Sequence, residues 1–205
     1  PTEVTISIDK ISLNQKNVIE LKEFNVGKGT NAVKGNDVLP NYKVSDISKI
    51  EDPALNTSII RSYLANYVKK GDVEGISVAT GSITVNGKTE YVLAVSGKSW
   101  KGNMPTSVNI NGVNYKVIVE DSNSVRNYPS SATQTNFNHA EHKLFSYIKD
   151  NYAGQKVDIK ISVENTSKIK PGMCNGCNGS GVKFAEEMGE NANIHIYQGS
   201  TGKKP

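Results

Sequence analysis

The stretch "QKVDIKISVEN", Gln155–Asn165, starts the part of the sequence that decides the fold. Its apolar and polar residues alternate, which predicts a β-strand. The segment after Cys174, which includes "GVKFAEEMGE", predicts a helix, and "ANIHIYQ", Ala192–Gln198, predicts a final strand. Two strands separated by a helix can pair in parallel through a helical crossover. This part of the chain therefore predicts a layered α/β domain.

The residues before this crossover predict two more helices and two hairpins. Apolar residues at helical spacing indicate one helix within "DPALNTSIIRSYLANYVKKG", Asp52–Gly71, and another within "NHAEHKLFSYIKDNY", Asn138–Tyr152. Asn86–Gly87 and Asn111–Gly112 predict the turns of two β-hairpins. This order of elements favours a mixed sheet in an α/β domain. The face of the first helix that we expect to be buried consists of Ile59, Ile60, Tyr63, Leu64, Tyr67 and Val68.

Length and composition indicate one domain with an N-terminal extension. The chain has 205 residues, of which 36% are hydrophobic and 21% are charged. Residues 1–52 are polar and rich in turn-forming residues after one early alternating run, so we interpret them as an extension or linker and residues 53–205 as the domain. No apolar run approaches the roughly 20 residues that a membrane helix needs, so we expect no membrane insertion by this domain.

The start of the chain and its charge add two expectations. The sequence begins at Pro1 without a methionine or a signal peptide, and we therefore expect a processed or excised piece of a larger protein. The net charge is +4, but of 24 basic residues only Arg61 and Arg126 are arginine, the better residue for bidentate phosphate contacts. The charge permits a nucleic-acid partner without requiring one.

Two of the three histidines and both cysteines lie in two short pieces, "NHAEHKLFSYI" and "KPGMCNGC". Cys174 and Cys177 are too close in sequence for a disulfide framework, so we expect a metal site or a redox pair. Together with His139 they offer one imidazole and two thiolates, a set that binds zinc and leaves a fourth position open for water, as in catalytic sites. Pro171 and Gly172 predict a tight turn just before the first cysteine.

Glu141 is the candidate for proton transfer. We predict that Asn138 caps the following helix, which places His139 and Glu141 near its positive end. A carboxylate there can take a proton from a metal-bound water and deliver it elsewhere. Asn138 and Glu141 also fit a capping box, which would have a purely structural role.

Two other uses of the cysteines stay open. His139 and His142 lie three residues apart on one helix, so with both cysteines they would complete a four-ligand structural zinc site in a non-enzymatic binding module. A redox role is the other alternative, although no thioredoxin-like strand precedes the pair. His195 alternates with apolar neighbours, so we expect it on the opposite side of its strand in a structural or exposed position.

The sequence "HAE" followed by "PGMCNGC" resembles the signature of the zinc-dependent cytidine deaminase superfamily, H-x-E with P-C-x-x-C. The resemblance covers about Asp52–Gln198 and implies a cytidine-deaminase-like mixed β-sheet sandwiched by helices. It implies that His139, Cys174 and Cys177 bind zinc. The catalytic proton shuttle would be Glu141.

One departure makes the resemblance more specific. Pro171 stands three residues before the first cysteine rather than directly before it. This form, and the Tyr-Pro in "RNYPSSATQTNFNHAE", are similar to the deaminase toxin domains of bacterial polymorphic and contact-delivered toxins, including the double-stranded DNA cytosine deaminase type.

The resemblance implies hydrolytic deamination of cytosine to uracil in nucleic acid, with DNA favoured over RNA. The domain would be an interbacterial toxin, secreted or delivered by its producer and active in the cytoplasm of the target cell. Residues 1–52 would join it to a larger toxin, and a cognate immunity protein would be its protein partner. A deaminase of free cytidine or nucleotides, of RNA or of adenine is the alternative.

Candidate substrate contacts lie in loops that lead toward the zinc-bearing helix. Aromatic rings can stack on bases, and lysine and arginine can hold phosphates. Each of these residues also has an ordinary structural interpretation, in the core, as a hydrophobic staple or on the solvated surface. The candidates are Lys98, Trp100, Lys101, Arg126, Tyr128, Phe137 and Asn138.

Overall fold

The computed structural model describes residues 39–69, 73–97, 105–120, 124–125 and 138–204. In these ranges the strands are β1 (Tyr42–Asp46), β2 (Val78–Val85), β3 (Lys88–Val95), β4 (Ser107–Ile110), β5 (Val113–Val117), β6 (Val157–Ser167) and β7 (Ala192–Lys204). The α-helices are α1 (Thr57–Leu64), α2 (Ala140–Tyr152) and α3 (Asn175–Met188), and short 3₁₀ turns lie at Ile47–Lys49 and Pro53–Leu55. None of the helices in the described ranges is long and apolar enough to cross a membrane.

The strands form one mixed sheet in the order β1-β7-β6-β2-β3-β5-β4. β6 and β7 pair in parallel, with Ile161 opposite Ile196, and α3 connects them, which confirms the predicted helical crossover. β1 also runs parallel to β7, and β3 runs parallel to β5, whereas the remaining pairs are antiparallel. The predicted α/β fold class with a mixed sheet is confirmed at this level.

Both predicted hairpin turns are present. The central residues have positive φ angles, 50° at Asn86 and 75° at Gly87 in one turn, and 52° at Asn111 and 81° at Gly112 in the other. Two-residue turns of this hand match the twist of the flanking strands, and glycine and asparagine accept the left-handed backbone at least cost. Local chemistry is thus enough to set both hairpins.

Helices cover both faces of the sheet. On one face, Ala79 and Ile161 pack with Phe184 of α3 in a core that also contains the inner side of α2. On the other face, Val78 packs with Leu64 of α1. Successive residues of a strand point to opposite faces, so the neighbours Val78 and Ala79 belong to two different cores.

The first helix is shorter than predicted, and half of its expected buried face is exposed. α1 ends at Leu64, well inside the predicted range, and Gly71 lies outside the described residues. The buried residues are Ile60, Leu64 and Val68, whereas Ile59, Tyr63 and Tyr67 are 37%, 39% and 38% exposed. Residues four apart share a helix face, and the second set is rotated by about 100° from the first, so only one stripe meets the sheet. The prediction that the whole set is buried is wrong.

β1 lies inside residues 1–52, the range predicted as an extension. Tyr42–Asp46 pairs with Ile194–Gln198 of β7 and forms one edge of the sheet. Residues 1–38, which contain the early alternating run, lie outside the described residues. The sheet therefore includes the end of the predicted extension, and the division between residues 52 and 53 stays a prediction.

A buried ion pair fastens α1 to β6. Arg61 is 7% exposed and Glu164 is 6% exposed. The Arg61 Nε donates to the Glu164 carboxylate at 2.9 Å, and its Nη1 donates to the carbonyls of Val73 and Ile76 at 2.7 and 2.8 Å. Each buried charge therefore has a partner, and removal of one partner strands the other.

We expect Arg61→Met to lower the free energy of unfolding by about 3–5 kcal/mol, because it leaves a carboxylate buried without its partner. Urea denaturation measures the loss, and the double variant Arg61→Met/Glu164→Met should recover much of it. The control is Lys183→Met, which breaks a partly exposed pair with Glu186 and should cost less than about 1 kcal/mol. A loss for Arg61→Met no larger than that of the control would contradict the assignment.

Candidate metal centre

The two helices that carry the predicted ligands begin side by side. His139 immediately precedes α2, whereas Cys174 and Cys177 lie at the start of α3. The helices pack through Phe145 and Phe184, whose rings are stacked with centroids 4.9 Å apart and an interplanar angle of 17°. This packing brings together side chains that are far apart in the sequence.

The ligand atoms of His139, Cys174 and Cys177 form one compact group. All three atoms lie within 4.8 Å of one another. The His139 Nδ1 is 3.2 Å from the Cys177 Sγ and 3.6 Å from the Cys174 Sγ. Cys177 is buried, whereas His139 and Cys174 are partly exposed. The group could bind a metal ion, and it is the set predicted from the sequence.

A tight loop between β6 and α3 holds the first cysteine in place. The Asn165 side chain donates to two carbonyls of this loop, one of them that of Gly172 at 2.8 Å. Gly172 has a φ of +71°, and a Cβ atom there would lie 2.2 Å from the Cβ of Gln198. The turn predicted at Pro171–Gly172 therefore requires glycine, and it delivers Cys174 to the N-cap of α3.

The start of α2 differs from the prediction. His139, not Asn138, is the N-cap residue, and its side chain makes no capping hydrogen bond. The first helical carbonyl is that of His139, which accepts from the Lys143 amide at 3.2 Å, whereas the Asn138 carbonyl accepts from the Gly97 amide at 2.7 Å. The loop after β3 engages the backbone of Asn138, so the helix starts one residue later. The predicted Asn138 cap and capping box are wrong.

Glu141 lies in the first turn of α2, buried against the ligand group. The residue is 3% exposed. Burial raises the pKa of its carboxyl, and the charge of His139 and a hydrogen bond with Cys177 only partly oppose this effect. Glu141 is therefore a buried titratable group whose contacts include the potential metal ligands.

The three potential ligands differ in how readily they lose a proton. The hydrogen bond from Cys177, with a further one from His139, lowers the pKa of the Cys174 thiol to about 4. Burial raises the pKa of the Cys177 thiol, and the hydrogen bond with Cys174 raises the pKa of His139. Cys174 is thus the ready thiolate, whereas the Cys177 thiol must release its proton when a metal binds.

The other two histidines lie outside the ligand group. His142 is fully buried and packs edge-to-face with Phe145, with ring centroids 6.3 Å apart. In the described ranges it does not join the ligand atoms around His139, so the alternative four-ligand site is not formed. His195 hydrogen-bonds Ser45 Oγ at 2.8 Å on the sheet face away from α2 and α3, which confirms its predicted place.

Most of the predicted substrate contacts lie outside the described residues. This applies to Lys98, Trp100, Lys101, Arg126, Tyr128 and Phe137. Asn138 is described, and it is exposed next to His139. Its place is compatible with a substrate contact, and that role stays a prediction.

Lys143 is a site residue that the sequence patterns do not single out. It is 1% exposed, and its Nζ donates to the carbonyls of Val95 at 2.8 Å and Gly97 at 2.9 Å. It ties the end of β3 to the first turns of α2. Its spacing of four residues from His139 is the signal that could have found it, because residues so spaced share a helix side. Asn165 carries no such signal, since its contacts arise from the path of the loop.

No protein-family model, curated protein or solved structure matches the chain. The class of protein is therefore defined by its fold and site alone. It is an α/β protein with a mixed sheet between helices and a His-Cys-Cys group that could bind a metal ion.

We expect His139→Ala to weaken metal binding by more than the roughly 10–100-fold that is typical for loss of a residue outside the ligand set, because it removes one of three donors. Competition with a chromophoric chelator, with Zn²⁺ and Co²⁺ as probes, measures the affinity. His195→Ala is the matched control and should bind like the wild type. Wild-type affinity in His139→Ala would exclude His139 as a ligand.

We expect Glu141→Gln to stabilise the metal-free protein at neutral pH. Folding raises the pKa of this carboxyl above its ordinary value of 4.5, so the folded state binds the proton more tightly than the unfolded chain does. Stability from the protonated group is fully present below pH 4.5 and is lost as the pH rises through the folded pKa, because the buried group must then be charged. Gln avoids that charge, so the gain should grow with pH.

Thermal unfolding in a chelator between about pH 4 and pH 8 measures this gain. Glu186→Gln, at an exposed position of α3, is the control and should show no such trend. A Glu141→Gln variant that follows the wild type at every pH would show that the carboxyl is not held in a desolvated site.

Proposed function

We propose that this chain is a zinc-dependent deaminase that hydrolyses cytosine to uracil in nucleic acid, with DNA as the favoured substrate. The observation that carries the proposal is a buried Glu141 carboxyl packed against a group of three potential metal ligands within 4.8 Å of one another. These four residues come from two helices, and they are the same four that match the deaminase signature in the sequence. The motif and its three-dimensional arrangement support the same chemistry.

The donor set fits zinc. A tetrahedral zinc ion with Zn–N of about 2.0–2.1 Å and Zn–S of about 2.3 Å places a nitrogen and a sulfur ligand about 3.6 Å apart. The two nitrogen–sulfur distances from His139 are 3.2 and 3.6 Å, close to this value. Three protein ligands are also typical of catalytic zinc. A zinc ion held by His139, Cys174 and Cys177 would supply Lewis-acid activation of a water molecule.

Glu141 is the group that moves protons in this proposal. In the overall reaction water replaces the exocyclic amino group of cytosine, and ammonia leaves. A proton must leave the water, and protons must reach the ring nitrogen N3 and the departing amine. A buried carboxyl with a raised pKa is suited to both tasks, because it exchanges protons closer to neutral pH than an exposed one.

The helix starts favour the negative charge that the ligands need. Cys174 caps α3, and its Sγ accepts a hydrogen bond from the Cys177 amide at 3.3 Å. The positive end of a helix dipole stabilises a thiolate in the same place. Both effects favour the thiolate form of Cys174, the form that binds a cation.

The substrate class and the biological setting rest on the sequence resemblance and on charge. A net charge of +4 is compatible with a polyanionic substrate. The spacing between Pro171 and Cys174 supports an interbacterial toxin domain. In this proposal the domain is delivered to a target cell, acts in its cytoplasm and is neutralised in the producer by a cognate immunity protein.

Glu141→Gln should lower uracil formation by at least about 100-fold, because loss of a positioned acid–base group typically costs about 10²–10⁴ in rate. Metal content should stay at the wild-type level, since this carboxyl is not one of the ligands. Glu190→Gln, an equal charge change at an exposed position, is the control. Unchanged activity in Glu141→Gln would sink the assignment.

The substrate is identified by incubating the protein with single-stranded DNA, duplex DNA, RNA and cytidine, followed by sequencing or chromatography. C-to-T changes in DNA would support the proposal as stated. Turnover of cytidine alone would favour the free-nucleoside alternative, and A-to-G changes would reassign the target base.

A further inference from the structure

Ile169 is the most exposed large hydrophobic residue in the described ranges. It is 86% exposed, whereas Ile59, Tyr63 and Tyr67 reach only 37–39%. A single exposed apolar side chain is ordinary in itself. Ile169 differs because a rigid turn holds it away from the core, because basic residues flank it, and because the turn adjoins the candidate metal centre.

Side-chain hydrogen bonds hold this turn in one conformation. The Ser167 Oγ accepts from the amides of Ile169 and Lys170, both at 3.1 Å. The Asn165 side chain donates to the Lys170 carbonyl at 2.6 Å and accepts from the Ser167 amide at 3.2 Å. Ser200 of β7 donates to the Ser167 carbonyl at 2.5 Å. A segment ordered in this way loses little further conformational entropy on binding.

The charge beside Ile169 is positive. Lys168 and Lys170 flank it directly, and residues 165–172 contain no acidic residue. Lys168 is exposed. Two cations around an apolar tip favour a polyanion that also offers apolar faces, and a nucleic acid offers phosphates and stacked bases together.

The turn lies beside the candidate metal centre. The Lys170 ammonium contacts the side chain of Asn175, the first residue of α3, and Asn175 directly follows Cys174. Four residues lie between Ile169 and Cys174. The five Cα–Cα steps limit the distance between the two Cα atoms to at most about 18 Å. A nucleic acid bound at the metal centre can therefore reach the turn within about five base-pair steps.

We propose that Lys168, Ile169 and Lys170 form a duplex-DNA wedge. In this arrangement Ile169 enters the base stack beside the target cytosine, and the two lysines contact the flanking phosphates. The inference rests on the proposed function, because a deaminase can act on a base of a duplex only after that base has left the helix. The inference predicts that deamination of duplex DNA depends on this turn.

The energetics explain why an isoleucine is useful here. Extruding a base from a duplex costs a few kcal/mol of pairing and stacking, whereas a base in a single strand is already accessible. Apolar side chains, isoleucine among them, enter base steps and stabilise the opened duplex in other DNA-binding proteins. The wedge should therefore matter for duplex substrates and hardly at all for single strands.

The test compares kcat/KM for a duplex that contains one cytosine and for the same strand alone. Ile169→Ala should lower the duplex value on the order of tenfold, equivalent to about 1.4 kcal/mol, and the single-strand value less than about twofold. Ile59→Ala, at an exposed position of α1 on the other sheet face, should change neither. An equal loss on both substrates, or no loss, would overturn the wedge.

A second measurement separates this inference from the deaminase assignment. The Glu141→Gln protein is mixed with a duplex that carries 2-aminopurine next to the cytosine, and fluorescence reports unstacking. The signal should rise, and the added Ile169→Ala change should abolish the rise. If this holds while the wild-type protein deaminates no substrate, the wedge stands and the deaminase function falls. If the fluorescence does not rise, or rises equally with and without Ile169→Ala, the wedge is overturned.

The lysines give an independent check. Binding of the same duplex is measured over a range of salt concentrations for Lys168→Gln in the Glu141→Gln background. The slope of log K against log salt should fall by about 1, as expected for one lost phosphate contact. An unchanged slope would remove Lys168 from the proposed surface.

Discussion

The stacking of Phe145 on Phe184 is the contact on which the candidate metal centre depends. It joins α2 to α3, and the potential ligands lie at the starts of those two helices. The position of α3 is set in turn by parallel pairing of β6 and β7, since the connection between two parallel strands must cross the sheet. α3 also approaches β1 closely, because a Cβ at Gly181 would lie 2.5 Å from the Tyr42 hydroxyl. Small errors in this packing would separate the histidine from the cysteines.

Buried ionisable residues have different surroundings on the two faces of the sheet. On the α1 face, Arg61 and Glu164 are paired and hydrogen-bonded, so their burial serves the attachment of the helix. On the α2 and α3 face, burial raises the pKa values of the Glu141 carboxyl and the Cys177 thiol and so disfavours their charged forms. Burial of such groups costs stability, and a cation bound to them would offset this cost. The second face therefore carries the group that could bind a metal ion.

Local sequence chemistry predicted several elements well. Asn-Gly pairs set both hairpin turns, because few residues accept positive φ at two successive positions. The crossover of β6, α3 and β7 followed from two alternating runs around one helix. The His139, Cys174 and Cys177 group followed from residue types and spacing, since few side chains bind a soft cation. Each of these features depends on residues close together in the chain or on donor chemistry.

Other features depended on partners distant in the sequence. Apolar spacing alone placed Ile59, Tyr63 and Tyr67 on the buried face of α1, but the sheet had room for one stripe of side chains. Asn138 has the chemistry of a helix cap, yet pairing of its carbonyl with Gly97 moved the cap to His139. β1 gained its strand partner from β7, whose His195 lies 150 residues along the chain from Ser45 of β1. Lys143 found its acceptors at the end of β3.

The sequence by itself determined the α/β class, the turns and the donor set, because these follow from periodicity, from backbone preferences and from side-chain chemistry. The tertiary structure alone decided which helix faces are buried, where α2 begins, that His142 stays outside the ligand group and that Ile169 is held out beside it. Those outcomes depend on close packing between segments that are distant in the chain, and no local pattern records the space that remains when the segments meet.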